Sequence, residues 1–123
     1  MTDIEEADSP KKPSAEQRVV DGVLVVTVHG EIDHTVKEIL SKALGSEDGG
    51  TAQPSRIVAD LGDVTFMDSS GLNVLILTHQ RVREDQGWLR IAGAQPAVAR
   101  LLHMVGIDEI VDCHPSVEQA LSA

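Results

Sequence analysis

The stretch Phe66-Met67-Asp68-Ser69-Ser70-Gly71-Leu72 joins a predicted strand to a predicted helix in the middle of the chain. The strand is the short apolar run at residues 56–61, which precedes it. The helix is indicated by residues at the spacing of one helix face, namely Leu72, Leu75, Ile76 and His79. Asp, Ser and Gly before an apolar helix are typical of a helix start. In α/β sheets such junctions carry the functional residues, so we look for the site here.

A β-hairpin is predicted towards the N-terminus. Two β-branched runs, Val19-Val20 and residues 23–28, are joined at Asp21-Gly22, a dipeptide that suits a type I′ turn. Apolar residues then recur at helical spacing from Val36 to Leu44, which predicts a first helix packed on the sheet by one face. The domain therefore opens with an antiparallel pair followed by a helix.

Helices and strands alternate after the central junction. Trp88 to Ala92 forms the next predicted strand, and Pro96 suits the first turn of a helix that extends up to Gly106. Ile110-Val111 predicts a short last strand before a final helix. The sum is an α/β fold with a mixed sheet, in which right-handed crossovers follow the hairpin.

The chain length of 123 residues fits one compact domain. Residues 1–16 are polar and contain two prolines, so they are predicted to form a disordered acidic tail before a domain at residues 17–123. Residues 45–55 are rich in Gly, Pro and Ser, which predicts a flexible surface loop.

Composition argues against several classes of partner. A net charge of -10 and a pI near 4.7 oppose binding to a phosphate backbone, so no nucleic acid partner is expected. The acidic start of the chain is unlike a signal peptide, and no apolar run has the length of a membrane span. The lone Cys113 suits a reducing compartment, so we expect a cytoplasmic protein without membrane contact.

Ser69 has two possible uses at the central junction. Its hydroxyl can cap the helix by accepting a hydrogen bond from a backbone N–H, or it can be presented to another protein for modification. From the residues alone capping is favoured, and the two roles can coexist. Val74 and Leu77 lie off the main apolar face of the same helix, so they face either a partner or additional core.

Three segments together resemble the anti-sigma factor antagonists built on the STAS domain. They are Gly30-Glu31-Ile32-Asp33, the central stretch at residues 66–72, and Val98-x-x-Leu101-Leu102-x-x-x-Gly106. The likeness extends from about Val19 to the C-terminus. It implies a mixed sheet with about four helices packed mainly on one face.

The resemblance also implies a function in bacterial transcription regulation. Ser69 would accept phosphate from a partner that is both anti-sigma factor and serine kinase, and a serine phosphatase would remove it. The unmodified protein would bind that partner and release a sigma factor, which is partner switching. Asp68 would be the acidic neighbour of the phosphoacceptor, with Asp33 close by. The implied partner-binding residues are Asp33, Asp68, Ser69, Ser70, Gly71, Asn73, Val74 and Leu77, and Asn73 departs from the glycine frequent in the family.

Other functions fit the sequence less well. Asp-Ser-Ser-Gly lacks the first glycine of a G-x-S-x-G nucleophile elbow, the histidines show no recognised metal-ligand spacing, and Gly49-Gly50 does not begin a P-loop. We therefore expect no enzyme activity, no metal and no cofactor, although nucleotide binding stays open. The main alternative is a STAS domain that serves as a scaffold in a signalling assembly or as a subunit of a transport system.

Overall fold

A computed structural model describes residues 14–35, 37–44 and 55–123. Its strands are β1 (Ser14–Val20), β2 (Val23–Ile32), β3 (Arg56–Met67), β4 (Trp88–Ala92) and β5 (Asp112–His114). Its α-helices are α1 (Lys37–Ala43), α2 (Ser69–Glu84), α3 (Pro96–Met104) and α4 (Val117–Ser122), and a 3-10 helix spans Ile107–Glu109.

The strands form one sheet in the order β1-β2-β3-β4-β5. β1 is antiparallel to β2, and the remaining neighbours are parallel. Asp21 and Gly22 have φ angles of 51° and 82°, and a type I′ turn requires positive φ at both of its central residues. Parallel neighbours need a crossover, which the helices between the strands provide.

The core has two parts, one on each face of the sheet. The larger cluster joins β2, β3 and β4 to side chains of three helices, among them Leu40 of α1, Leu75 of α2 and Leu102 of α3. The smaller cluster, on the opposite face, packs Ala120 of α4 against Val25 and neighbouring strand residues. The predicted mixed sheet with four helices mainly on one face is confirmed.

Strand limits differ from the prediction in three places. β1 starts at Ser14, opposite His29, inside the predicted tail, because an exposed edge strand lacks the buried positions that give a strand its apolar pattern. β3 continues past Leu61 to Met67, and its pairing with β2 runs from Ile57 to Met67 with two shifts of register. The last strand lies just after the predicted Ile110-Val111. Residues 1–13 and 45–54, which hold the rest of the predicted tail and loop, lie outside the described residues.

The end of α2 depends on Gly87. Its N–H donates to the Val82 carbonyl at 2.7 Å, and a Cβ at this position would lie 1.7 Å from the Ser55 carbonyl oxygen. Only glycine allows the two backbones to approach this closely, so Gly87 is required in the turn between α2 and β4.

Candidate functional site

The carboxyl ends of β2 and β3 meet at one edge of the sheet. Ile32 and Met67 are paired across the two parallel strands, and the Asp68 N–H donates to the Ile32 carbonyl at 3.0 Å. This bond ties the junction before α2 to the loop that starts at Asp33. The structure therefore brings the two predicted acidic site residues to the same edge.

Asp68, and not Ser69, caps α2. Its Oδ1 accepts the backbone N–H of Ser70 at 2.8 Å, and its backbone is extended. Such a cap stabilises a helix by about 1 kcal/mol. The preference for Ser69 as the cap was therefore wrong, because the carboxylate one residue earlier reaches the free N–H first.

Ser69 is the first residue of α2, and it is exposed. Its hydroxyl makes no hydrogen bond to any other residue in the described part of the chain. Ser70, by contrast, is half-buried and donates its backbone N–H to the cap. Of the two serines, Ser69 is the more exposed.

Gly71 allows α2 to pack closely on the sheet. It is buried, and a Cβ here would lie 2.7 Å from Met67 Cγ and 2.8 Å from Ile32 Cγ2. Met67 and Ile32 are the last residues of β3 and β2. The missing side chain therefore lets the first turn of α2 lie directly on the strand ends, which holds Ser69 at the sheet edge.

An exposed line of residues follows Ser69 along α2. Asn73 and Leu77 come four and eight residues after it, on the same side of the helix, and both are exposed. Leu77 is 50% exposed, a large apolar surface for a helix of a folded domain. These three residues form one continuous strip, which we call the α2 strip.

Val74 does not belong to that strip. It is only 5% exposed and lies in the larger core cluster. Its prediction as a partner-binding residue was wrong, because α2 is covered by the sheet on one side and packs beside α1 on another. The alternative, additional core contact, holds for Val74.

Asp33 carries a fixed negative charge beside this edge. Its Oδ1 accepts both the Thr35 hydroxyl at 2.6 Å and the Thr35 backbone N–H at 3.0 Å. These bonds hold the pKa of the Asp33 carboxyl below its ordinary value, and the bond from the Thr35 hydroxyl has the largest effect. The carboxylate therefore stays ionised throughout the physiological range.

Phe66 was quoted in the motif but not predicted as a binding residue. It is 50% exposed at the end of β3, opposite Glu31 of β2, and three residues before Ser69. Alternation along β3 was the available signal, since Met67 points into the core and its neighbour must point away. Phe66 adds an apolar ring to the edge that presents Ser69.

Residues 14–120 match the family model described as the STAS domain. The chain belongs to the STAS domain family. Among curated relatives, it is 31% identical over 107 residues to the anti-sigma-F factor antagonist RsfA of Mycobacterium tuberculosis. The aligned residues cover 84% of this chain and 80% of that protein. It is 32% identical over 101 residues to the anti-sigma F factor antagonist of Paenibacillus polymyxa, covering 82% of this chain and 86% of that protein.

Solved structures of STAS proteins have the same fold. The crystal structure of an anti-sigma factor antagonist from Mycobacterium paratuberculosis is 31% identical, with a TM-score of 0.80, and covers 93% of this chain and 95% of that chain. The STAS domain of a SulP transporter from Vibrio cholerae reaches a TM-score of 0.66 at 24% identity, over 85% of this chain and 82% of that chain. The second likeness shows the fold alone.

In the ranges 14–35, 37–44 and 55–123, no group of three or more His, Cys, Asp or Glu side chains is arranged to hold a metal ion. Among the helices of those ranges, none is both long and apolar enough to cross a membrane.

Proposed function

We propose that this STAS domain is an anti-sigma factor antagonist whose activity is switched off by phosphorylation of Ser69. The observation that carries the proposal is the exposed Ser69 hydroxyl, which the Asp68 cap leaves without a structural task. The names of the relatives at 31% and 32% identity support the same role.

The proposed partner is an anti-sigma factor with serine kinase activity. It binds the sheet edge formed by Asp33, Asp68 and Ser70, together with the α2 strip. The exposed side chains of Leu77 and Phe66 provide the apolar contacts of this surface. Partly buried apolar side chains flanked by polar groups are typical of the centre of such interfaces. The protein itself transfers no group; it accepts one in the cytoplasm, and a serine phosphatase resets it.

Phosphate at Ser69 changes binding far more than folding. It adds about -1.5 to -2 charges at the start of α2, where the helix dipole favours it by about 0.3–1 kcal/mol. The Asp68 carboxylate beside it opposes this gain, so the net effect on the fold is small. In an interface, an unpaired charge costs about 2–5 kcal/mol, which is roughly 30- to several-thousand-fold in affinity.

Incubation with candidate anti-sigma kinases and ATP, followed by intact-mass measurement, tests the site of modification. We expect the wild type to gain one phosphoryl group and the Ser69→Ala variant to gain none. The matched control is Ser70→Ala, which removes the neighbouring hydroxyl and leaves the gain unchanged. Phosphate on Ser69→Ala, or its loss only in Ser70→Ala, would contradict the assignment.

A further inference from the structure

β1 is a long strand at the edge of the sheet. Among residues 14–35, 37–44 and 55–123, its only strand partner is β2, and it spans Ser14–Val20, whereas the opposite edge strand, β5, has three residues. An unpaired edge offers a row of backbone N–H and C=O groups to another strand. The sequence and register of β1 decide which strand fits it.

The hairpin register shows which groups of β1 point outward. Val20 pairs with Val23 across the two-residue turn, so these two residues exchange both backbone hydrogen bonds. Bonded pairs then alternate along the ladder, and Arg18, Glu16 and Ser14 also bond to β2. The N–H and C=O groups of the alternate residues, Ala15, Gln17 and Val19, therefore point away from the sheet.

Those outward groups are self-complementary about Gln17. When a second copy of β1 lies antiparallel with a two-fold axis at Gln17, Gln17 faces its own copy and Ala15 faces Val19. All three residues then form bonded pairs, because each carries outward groups. Such an interface uses the same surface on both subunits and closes as a dimer.

The side chains select this register by charge. In it, Glu16 of each copy lies directly opposite Arg18 of the other, in the close, non-bonded type of pair. Both side chains are exposed, Glu16 to 76%, and they share one face of the sheet. Moving the axis to Val19 sets Glu16 against Gly22, and moving it to Ala15 carries Arg18 past the start of β1. Both shifts lose the charge pairs.

The opposite face supplies an apolar fit. A groove of about 360 Å³ lies between β1 and α1, lined by Ala15, Gln17, Ile39, Lys42 and Ala43. Val19 is 71% exposed and lies on the same face of the sheet as α1, since its partner Leu24 belongs to the larger core cluster. In the paired arrangement, Val19 of the second copy lies beside Ala15, at this groove, where Ile39 is 44% exposed.

We infer that β1 is a self-association edge, through which two copies of this chain join their sheets antiparallel about Gln17. The inference is independent of the phosphorylation proposed at Ser69, since it rests on β1 and α1 alone.

Charge reversal on the full chain tests the pairing, with sedimentation equilibrium at physiological ionic strength as the measurement. The wild type should approach twice its 13.2 kDa mass as concentration rises. Arg18→Glu and Glu16→Arg each set like charges opposite one another. Each should therefore raise the dissociation constant of the dimer by about 2- to 30-fold. The double variant, and an equimolar mixture of the two single variants, should restore it. Thermal unfolding of each variant shows that the monomer fold is retained.

Two results would overturn the inference. One is a wild type that stays monomeric up to about 1 mM, a concentration at which even weak specific pairs associate. The other is a dimer whose dissociation constant is the same in the wild type and in all three charge variants.

Cysteine cross-linking tests the register, in a Cys113→Ser background that removes the native thiol. Gln17→Cys places two thiols on residues about 5.5 Å apart between Cα atoms, within disulfide reach. Mild oxidation should give a covalent dimer of this variant. The matched variant Val19→Cys, whose two copies lie four residue positions apart, should give none, and the opposite outcome would exclude the axis at Gln17.

Discussion

The Asp68 carboxylate accepts the backbone N–H of Ser70 at 2.8 Å, across the residue that the proposed kinase modifies. Because this bond caps α2, the intervening Ser69 hydroxyl is not needed for the fold. A phosphate on Ser69 would therefore leave this cap in place, as the proposed binding switch requires.

Asp68→Ala should lower the free energy of unfolding by about 0.5–2 kcal/mol, because it removes the cap of α2. Asp68→Asn keeps a capping oxygen and loses only the charge, so its stability should be close to that of the wild type. Urea unfolding of the three proteins measures both effects. Equal losses in the Ala and Asn variants would show that the charge, and not the cap, stabilises this end of the helix.

Gly71→Ala should destabilise the domain by about 1–3 kcal/mol, because the added Cβ meets Met67 and Ile32 at less than 3.0 Å. The sign is informative, since helix propensity alone favours alanine by about 1 kcal/mol. Asn73→Ala, at an exposed position of the same helix, should change stability by no more than about 0.5 kcal/mol. A stabilised Gly71→Ala variant would contradict the close packing of α2 on the strand ends.

Val74→Ala should lower the stability of the domain, whereas Leu77→Ala should lower its affinity for the partner. Val74 is buried, so its truncation should cost about 1–3 kcal/mol of stability. Leu77 is half-exposed, so its truncation should leave stability unchanged within about 0.5 kcal/mol and weaken binding to the anti-sigma partner. Thermal unfolding and titration calorimetry separate the two. Unchanged partner affinity in Leu77→Ala would remove this residue from the proposed interface.

His103 should make stability depend on pH. Its Nδ1 lies 2.8 Å from Asp108 Oδ2, and the hydrogen bond to that carboxylate raises the pKa of His103 above its ordinary value of 6.5. A raised folded-state pKa gives stability that is fully present below 6.5 and is lost as the pH rises through the raised value. Melting temperatures across this range should fall in the wild type. In Asp108→Asn this pH-dependent stability should be absent. The same dependence of melting temperature on pH in this variant and in the wild type would contradict the role of Asp108.

Much of the fold was predictable because its local signals agree with its packing. Asp21-Gly22 fixed the hairpin turn, the run Trp88–Ala92 gave the limits of β4, and Pro96 marked the start of α3. The start of β1 could not be predicted, since its residues are mostly exposed and only pairing with β2 makes them a strand.

The site was predictable in part. The motif placed Ser69 at the start of a helix, where the structure has it. The identity of the cap depends on which oxygen reaches the N–H of Ser70, a matter of backbone geometry. The burial of Val74 depends on the elements around α2, which helical periodicity does not contain. The exposure of Phe66 likewise follows from its place at the end of β3.

The affinity of the anti-sigma partner for this domain, before and after phosphorylation of Ser69, is the most direct test of the proposed switch. Titration calorimetry measures it, and thermal unfolding of the same two samples reports the fold. We expect affinity to fall by at least about 30-fold while the free energy of unfolding changes by less than about 1 kcal/mol. Equal affinities for the two forms, or loss of binding only because the phosphorylated domain unfolds, would contradict it.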